Sequence, residues 1–293
     1  MDIKNNYNGL ISMKVNLAKS AGFCFGVNRA INIALRRASR REKVYMLGDI
    51  VHNEKVVRQM REAGIKKIKK LIPGKDKILL IRAHGACQDT IKKARKLGFK
   101  IVDATCPMVK EIHRIVQDME RKQHRIIVIG DKLHDEVHGI IGQLKTKAII
   151  IQDIKHMPLR MIKKIEKACV VAQSTQNLEK FLKIAEALKG CIPNLRSFNT
   201  VCRPTRMKQE EIKTMPLDND AMIIIGSKNS ANTKRLYEIS KSLNKHSYWI
   251  NSKEEIKRRW FRNVQRTGVT AGASTPDSTI REIIKHICLI RNQ

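Results

Sequence analysis

Three cysteines, Cys24, Cys106 and Cys202, share a downstream pattern. Twenty-four residues after each stands a glycine closing an apolar run: Gly48 in YMLG, Gly130 in IVIG and Gly226 in IIIG. Four residues on come His52, His134 and Ser230, and two beyond those Glu54, Glu136 and Asn232. Each third of the chain then has another small-residue turn: RAHGA with His84, AQST with Ser174 and Thr175, and TAGAS with Ser274. A spacing that recurs from three origins reads as an internal repeat. Each repeat brings one thiol and two polar loop positions.

Three thiolates that converge suit a soft metal centre. Zinc with three cysteines and an open position is one option. An iron–sulfur cluster with three protein ligands, leaving one iron for substrate, is the other. Zinc sites built from cysteine usually draw on closely spaced pairs, whereas these ligands come singly from distant segments, which favours the larger cluster. His52, His84 and His134 can donate to an anion. Ser230, Asn232 and Ser274 are uncharged donors in strand-to-helix turns, where backbone N–H groups favour phosphate oxygens. Each of these is also an ordinary helix N-cap residue. Apart from Glu54, Glu136 is the one carboxylate that the register sets beside a histidine. In a dry cavity it would serve as a proton donor; at a helix start it would simply complement the dipole.

Elements that could position these residues are visible along the chain. Strand-like runs occur at 14–18, 44–47, 77–81, 100–104, 125–129, 148–152, 168–172, 221–225, 247–250 and 268–271, with helix-like stretches such as 108–122 and 177–190 between them. This alternation predicts parallel α/β units, whose ligands sit at the carboxyl ends of strands. The expected architecture is three α/β lobes related by a pseudo-threefold axis around a central cavity: 13–105, 106–201 and 202–293. Residues 1–12 are expected to be an extension ahead of a second possible start, Met13.

The 293 residues carry a formal charge of +32, and aromatics are only 4%. The basic residues are dispersed over predicted helix faces and not gathered into one arm, and few rings are available to stack bases. Solvated faces are therefore expected, with no nucleic acid, although a basic nucleic-acid-binding protein with a structural zinc site is the alternative reading. No apolar run reaches the roughly 18 residues of a membrane span, and the N-terminus lacks the look of a signal peptide. A cytoplasmic protein is expected. The seven cysteines include no CxxC pair, so a disulfide framework is not expected; Cys87, Cys169, Cys191 and Cys288 read as buried fillers.

At these residues the sequence resembles the 4-hydroxy-3-methylbut-2-enyl diphosphate reductases. The resemblance lies in AGFCFGVNRAI (21–31), VHNEKVV (51–57), AHG (83–85), DATCPMV (103–109), HDEVHG (134–139), GSKNSAN (226–232) and GVTAGASTPD (268–277). It implies three lobes around one [4Fe–4S] cluster per chain, with Cys24, Cys106 and Cys202 as ligands and an apical iron that takes the substrate oxygen. It implies that His52, His84, Ser230, Asn232 and Ser274 hold a diphosphate, with His134 nearby, and that Glu136 supplies a proton through the hydroxyl of Ser174. The implied reaction is a two-electron, two-proton dehydroxylation to isopentenyl and dimethylallyl diphosphates. Three positions depart from the family pattern: Asp135 replaces a usual proline, Ser174 a usual threonine and Ala231 a common serine. The charge suggests an acidic electron donor of ferredoxin or flavodoxin type, and a monomer or weak homodimer is expected.

Overall fold

An apolar run of five or six residues needs cover on both faces, and parallel sheets supply it. The computed structural model describes residues 13–40, 42–73 and 76–291; the expected extension, 1–12, lies outside them. The strands among these residues are β1 (Lys14–Leu17), β2 (Lys43–Leu47), β3 (Lys66–Ile68), β4 (Lys77–Ile81), β5 (Phe99–Asp103), β6 (Arg125–Ile129), β7 (Ile149–Ile151), β8 (Lys167–Ala172), β9 (Asn194–Phe198), β10 (Ala221–Ile225), β11 (Ser247–Ile250) and β12 (Arg266–Ala271). They form three four-stranded parallel sheets, ordered β3-β2-β4-β5, β7-β6-β8-β9 and β1-β12-β10-β11. The α/β class expected from the sequence is thus present.

The described residues divide into two compact units, one within 24–206 and one made of those within 13–23 and 207–291. The larger holds two of the sheets and the smaller holds the third. Residues 14–17, expected with the first lobe, pair instead with Arg266–Val269 of β12. The exchange follows the repeat. β5 and β9 are the fourth strands of their sheets and lead directly to Cys106 and Cys202. β1 fills the same fourth place in its sheet and leads to Cys24.

The helices are α1 (Phe25–Ala38), α2 (Glu54–Glu62), α3 (Gln88–Lys96), α4 (Pro107–Arg121), α5 (Asp135–Ile141), α6 (Leu159–Ile162), α7 (Leu178–Lys189), α8 (Arg203–Thr214), α9 (Ala231–Leu243) and α10 (Asp277–Arg291). Strand alternation sorts the core into two layers. Ile127, Ile129, Val170 and Ala172 meet Phe181, Ile184 and Leu188 of α7. Ile126, Val128 and Val171 meet Ile112, Val116 and Met119 of α4. The smaller unit repeats the plan: Ile223, Ile225 and Val269 meet Ile280, Ile283 and Ile287 of α10, and Met222 and Ile224 meet Ile212 and Leu236. Among the described residues, no helix is long and apolar enough to cross a membrane.

Two strands escape the sequence pattern, β3 and β9. Both lie at sheet edges and are partly exposed, so neither needs a continuous apolar run.

In the smaller unit the loop between β1 and Cys24 is held by α8. Lys208, 2% exposed, donates through Nζ to the carbonyl oxygens of Ser20, Gly22 and Ala271, the last two at 3.1 Å. One turn on, Glu211 accepts from the backbone N–H groups of Lys19 and Ser20 at 2.6 and 3.0 Å and from the Ser20 hydroxyl at 2.5 Å. Lys208→Met leaves two buried carbonyls and a half-buried one without this donor, and the expected loss of stability is about 2–4 kcal/mol. Both tryptophans, Trp249 and Trp260, lie in this unit. Their fluorescence in urea should therefore show an earlier transition in the variant, and an unchanged midpoint would contradict the role given to Lys208.

Candidate active site

Each site cysteine sits where a helix starts. Cys24 and Cys106 are the N-cap residues of α1 and α4, and Cys202 directly precedes α8. A helix start has unpaired N–H groups and the positive end of the dipole, both of which favour a thiolate. The three cysteines and Glu136 belong to the larger unit. The Cys106 N–H donates to Ala83 O at 3.0 Å and the Cys202 N–H to Ser174 O at 2.9 Å, which ties each cysteine to a neighbouring polar turn. Arg29 of α1 donates to Thr105 O at 3.1 Å. A Cβ on Gly26 would lie 2.5 Å from Cys106 Sγ, so the bare backbone is what lets α1 approach the second thiol.

These thiols share one electrostatic environment. Burial pushes the Cys106 thiol up in pKa, against the N–H groups of Met108 and Val109, while Cys24 and Glu136 add to the rise. Burial pushes Cys202 up to about 11 against the hydroxyl and N–H of Thr205, and again Glu136 and Cys24 act in the same direction. Clustered thiols of raised pKa keep their protons until a cation displaces them. This donor set, three sulfurs at three helix starts, fits an iron–sulfur cluster with three protein ligands.

The same unit holds the histidines. His52 and His84 stack at 4.7 Å between ring centroids, and His134 meets each edge-on at 5.4 Å. Burial holds His84 well below the usual imidazole range, helped by His52, His134 and Arg82; burial also lowers His52, with Asp135 opposing. His134 caps α5 by accepting the Glu136 N–H at Nδ1, at 3.1 Å. When neutral, its proton is therefore on Nε2, which makes that nitrogen a donor. Although the ligand atoms of the three rings lie within 4.8 Å of one another, a donating Nε2–H suits an anion and not a cation. His84 Nδ1 is buried with no hydrogen-bond partner.

Glu136 is 1% exposed. Its carboxylate accepts the Ser174 N–H at 2.5 Å and the Ser174 hydroxyl at 2.8 Å. Ser174 thus links the carboxylate to the Cys202 loop. Glu54, its counterpart in the repeat, is exposed in the first turn of α2. The same register position holds a buried acid in one repeat and a solvated one in another.

In the smaller unit, Ser230 caps α9, accepting Thr233 N at 3.2 Å and Thr233 Oγ1 at 3.0 Å. Asn232 is 5% exposed, and its Nδ2 is buried with no partner, an unsatisfied donor that points to a ligand. Thr275, next to Ser274, donates to Ile225 O at 3.1 Å, joining the turns after β12 and β10. The structure brings Cys24, Cys106, Cys202, the three histidines, Glu136 and Ser174 into one unit, and Ser230, Asn232 and Ser274 into the other.

Several contributors carry no sequence signal. Arg82, Gln173, Thr200 and Trp249 all work through tertiary contacts. Gln173 accepts Asp131 N and donates to Thr175 Oγ1; Thr200 closes the β8 end at Ala172; Trp249 Nε1 donates to Gly226 O at 2.7 Å. The remaining cysteines are free. Cys169 is core, pushed up to about 12 by burial, whereas Cys288 is exposed and not a buried filler.

Parallel α/β sheets, three cysteines at helix starts and a buried carboxyl at Glu136 define an α/β protein with a candidate cysteine site. A family model described as LytB protein matches residues 15–288, and the chain belongs to that family. It is 38% identical over 279 residues to the 4-hydroxy-3-methylbut-2-enyl diphosphate reductase of Aquifex aeolicus, covering 93% of this chain and 96% of that protein. It is 40% identical over 277 residues to the enzyme of that name from Campylobacter hominis, covering 94% and 98%. A solved structure titled as (E)-4-hydroxy-3-methyl-but-2-enyl diphosphate reductase, the terminal enzyme of the non-mevalonate pathway, matches with a TM-score of 0.70 and 37% identity over 94% of this chain and 99% of that one. That of the E-1-hydroxy-2-methyl-but-2-enyl-4-diphosphate reductase from Plasmodium falciparum matches with a TM-score of 0.86 and 27% identity, covering 94% and 87%.

One histidine behind the site makes a pH prediction. His113 on α4 lies against Gly85 and Gly139, and burial lowers it to about 4. Below the ordinary value of 6.5 the unfolded chain takes a proton that the folded chain refuses. Stability should therefore fall as pH drops from 6.5 toward 4, by up to about 3 kcal/mol from this group alone. Urea unfolding at pH 7.5 and 4.5 should show a smaller drop in His113→Gln than in the unaltered protein. An equal drop would contradict the assignment.

Proposed function

We propose that this oxidoreductase removes the hydroxyl of 4-hydroxy-3-methylbut-2-enyl diphosphate, using two electrons and two protons, to give isopentenyl and dimethylallyl diphosphates. The observation that carries the reading is the buried Glu136 carboxylate, bonded twice to Ser174, whose carbonyl in turn holds the Cys202 N–H. The names and full-length coverage of the relatives support it. Cys24, Cys106 and Cys202 would hold a [4Fe–4S] cluster, which when bound supplies electrons and a Lewis-acidic iron.

The chain's own residues do the rest. Glu136, with Ser174 Oγ as relay, carries the proton that turns a poor leaving group into water. His134 Nε2–H, with His52 and His84, donates to diphosphate oxygens without needing a full positive charge on each ring. Ser230, Asn232 and Ser274 are assigned to the diphosphate by the family resemblance, and the unpartnered Asn232 amide supports that assignment. Ala231 offers no hydroxyl where the family commonly has one. The diphosphate lies away from the reacting carbon, so its binding energy serves to fix the chain in place. The electron donor is assigned to the acidic ferredoxin or flavodoxin type, which the +32 charge would attract at long range.

The test is anaerobic turnover with a reduced donor. Glu136→Gln keeps the shape and removes the acid, and should lower kcat by ~10²–10⁴-fold with little change in KM. Activity near that of the unaltered protein would assign the proton to another group. Absence of turnover in the unaltered, iron-loaded protein would overturn the reading, and bound zinc in place of iron would favour the zinc-containing alternative.

A further inference from the structure

Next to the histidine ring stands an ion pair that the reaction, as derived above, does not use. Arg82 follows β4, and its Nη1 donates to Asp135 Oδ2 at 2.6 Å. That same oxygen lies 3.7 Å from His52 Nε2. Room for the guanidinium comes from Gly48, at φ +78°, where a Cβ would stand 2.5 Å from Arg82 Nη1. Two elements are thus shaped around this pair: the turn after β2 leaves space for the cation, and α5 opens on the carboxylate.

We propose that Asp135 masks the charge of Arg82 and so sets how tightly the three-histidine pocket holds a diphosphate. The inference rests on the diphosphate reading of that pocket and adds to it a determinant of affinity. The fields at the rings support it. Arg82 disfavours the protonated forms of both His52 and His84, so its positive charge reaches the pocket. The other charges acting on His52 are Asp49, which pairs with Lys67 at 2.8 Å, Glu54, which is exposed on α2, and Asp135 itself. Burial is the largest influence on Asp135 and works against its ionisation, but the bond and charge of Arg82, with His52 and His134, together outweigh it and keep the carboxyl below its usual range. At neutral pH a fixed negative charge therefore sits against a fixed positive one at the edge of an anion site.

The consequence follows from the chemistry of substrate and product. Both carry the same diphosphate, so a cation open to it would strengthen both complexes alike. Uniform binding lowers KM without helping the chemical step, and it slows release. Asp135 stands where the resembling family usually has proline, which has no charge with which to mask a neighbouring arginine.

The experiment is titration calorimetry of inorganic diphosphate into the anaerobically reconstituted, iron-loaded protein at low ionic strength. Asp135→Asn should tighten the Kd by about tenfold and Arg82→Gln should weaken it by about tenfold. The double variant should return to within about threefold of the original, because neither charge remains to be masked. In turnover, Asp135→Asn should lower KM and kcat together, and added salt should shrink the difference in Kd. Asp135→Glu, which keeps the charge, should bind as the unaltered protein does. Unchanged or weaker binding in Asp135→Asn overturns the proposal, as does a double variant that shows the sum of two losses. If Asp135→Asn does not fold, the comparison of Arg82→Gln with the double variant decides: equal weakening in both overturns it, and recovery in the double supports it. Failure of the unaltered protein to bind diphosphate overturns the underlying reading as well, whereas its binding with unaltered affinity in every variant overturns this inference alone.

Discussion

The backbone places each thiol at one recurring joint, where the fourth strand of a parallel sheet ends and a helix begins. The strand fixes where the chain emerges, and the helix start supplies N–H groups and a positive dipole end to the sulfur. Because β1 fills in one sheet the place that β5 and β9 fill in the others, the joint occurs three times with one strand order. The candidate polar residues follow the same geometry within each unit. His52, His84, His134 and Ser174 in the larger unit, and Ser230 and Ser274 in the smaller, all lie just past the carboxyl ends of strands, where a parallel sheet opens its loops to a ligand.

Packing gives these joints their precision. Ile126–Ile129 and Val170–Ala172 are fully buried and alternate between α4 on one face and α7 on the other. A strand locked on both faces cannot slip in register without moving apolar groups to the wrong side. The loops above inherit that rigidity and then add hydrogen bonds of their own. The Cys106 and Cys202 amides bond to the carbonyls of Ala83 and Ser174, and Gln173 and Thr200 tie down the end of β8. Buried side chains do polar work where no strand can reach. Lys208 gathers three carbonyls, and Glu136 takes two bonds from a single serine.

Much of this was legible in the sequence, and the gaps have physical causes. Buried central strands announce themselves as apolar runs, and the cysteine register located three of the four-residue steps from glycine to polar turn. The edge strands β3 and β9 did not, because KKI and NLRSF face solvent on one side and need no such run. The place of β1 was hidden because pairing between Lys14 and Arg266, at opposite ends of the chain, leaves no local trace. Residue type alone could not separate Glu136 from Glu54, since burial decided which acid is enclosed. Arg82 was silent for the same reason: its partner is 53 positions away, and nothing near it in the chain marks the contact.

The central claim is that Cys24, Cys106 and Cys202 hold one inorganic centre together. Iron and acid-labile sulfide should be measured after anaerobic reconstitution in Cys24→Ser, Cys106→Ser, Cys202→Ser and, as a control, Cys169→Ser. The account predicts about four irons and four sulfides per chain in the unaltered protein, substantial loss in each of the first three, and a retained complement in the control. Equal iron and sulfide in all four variants would contradict it.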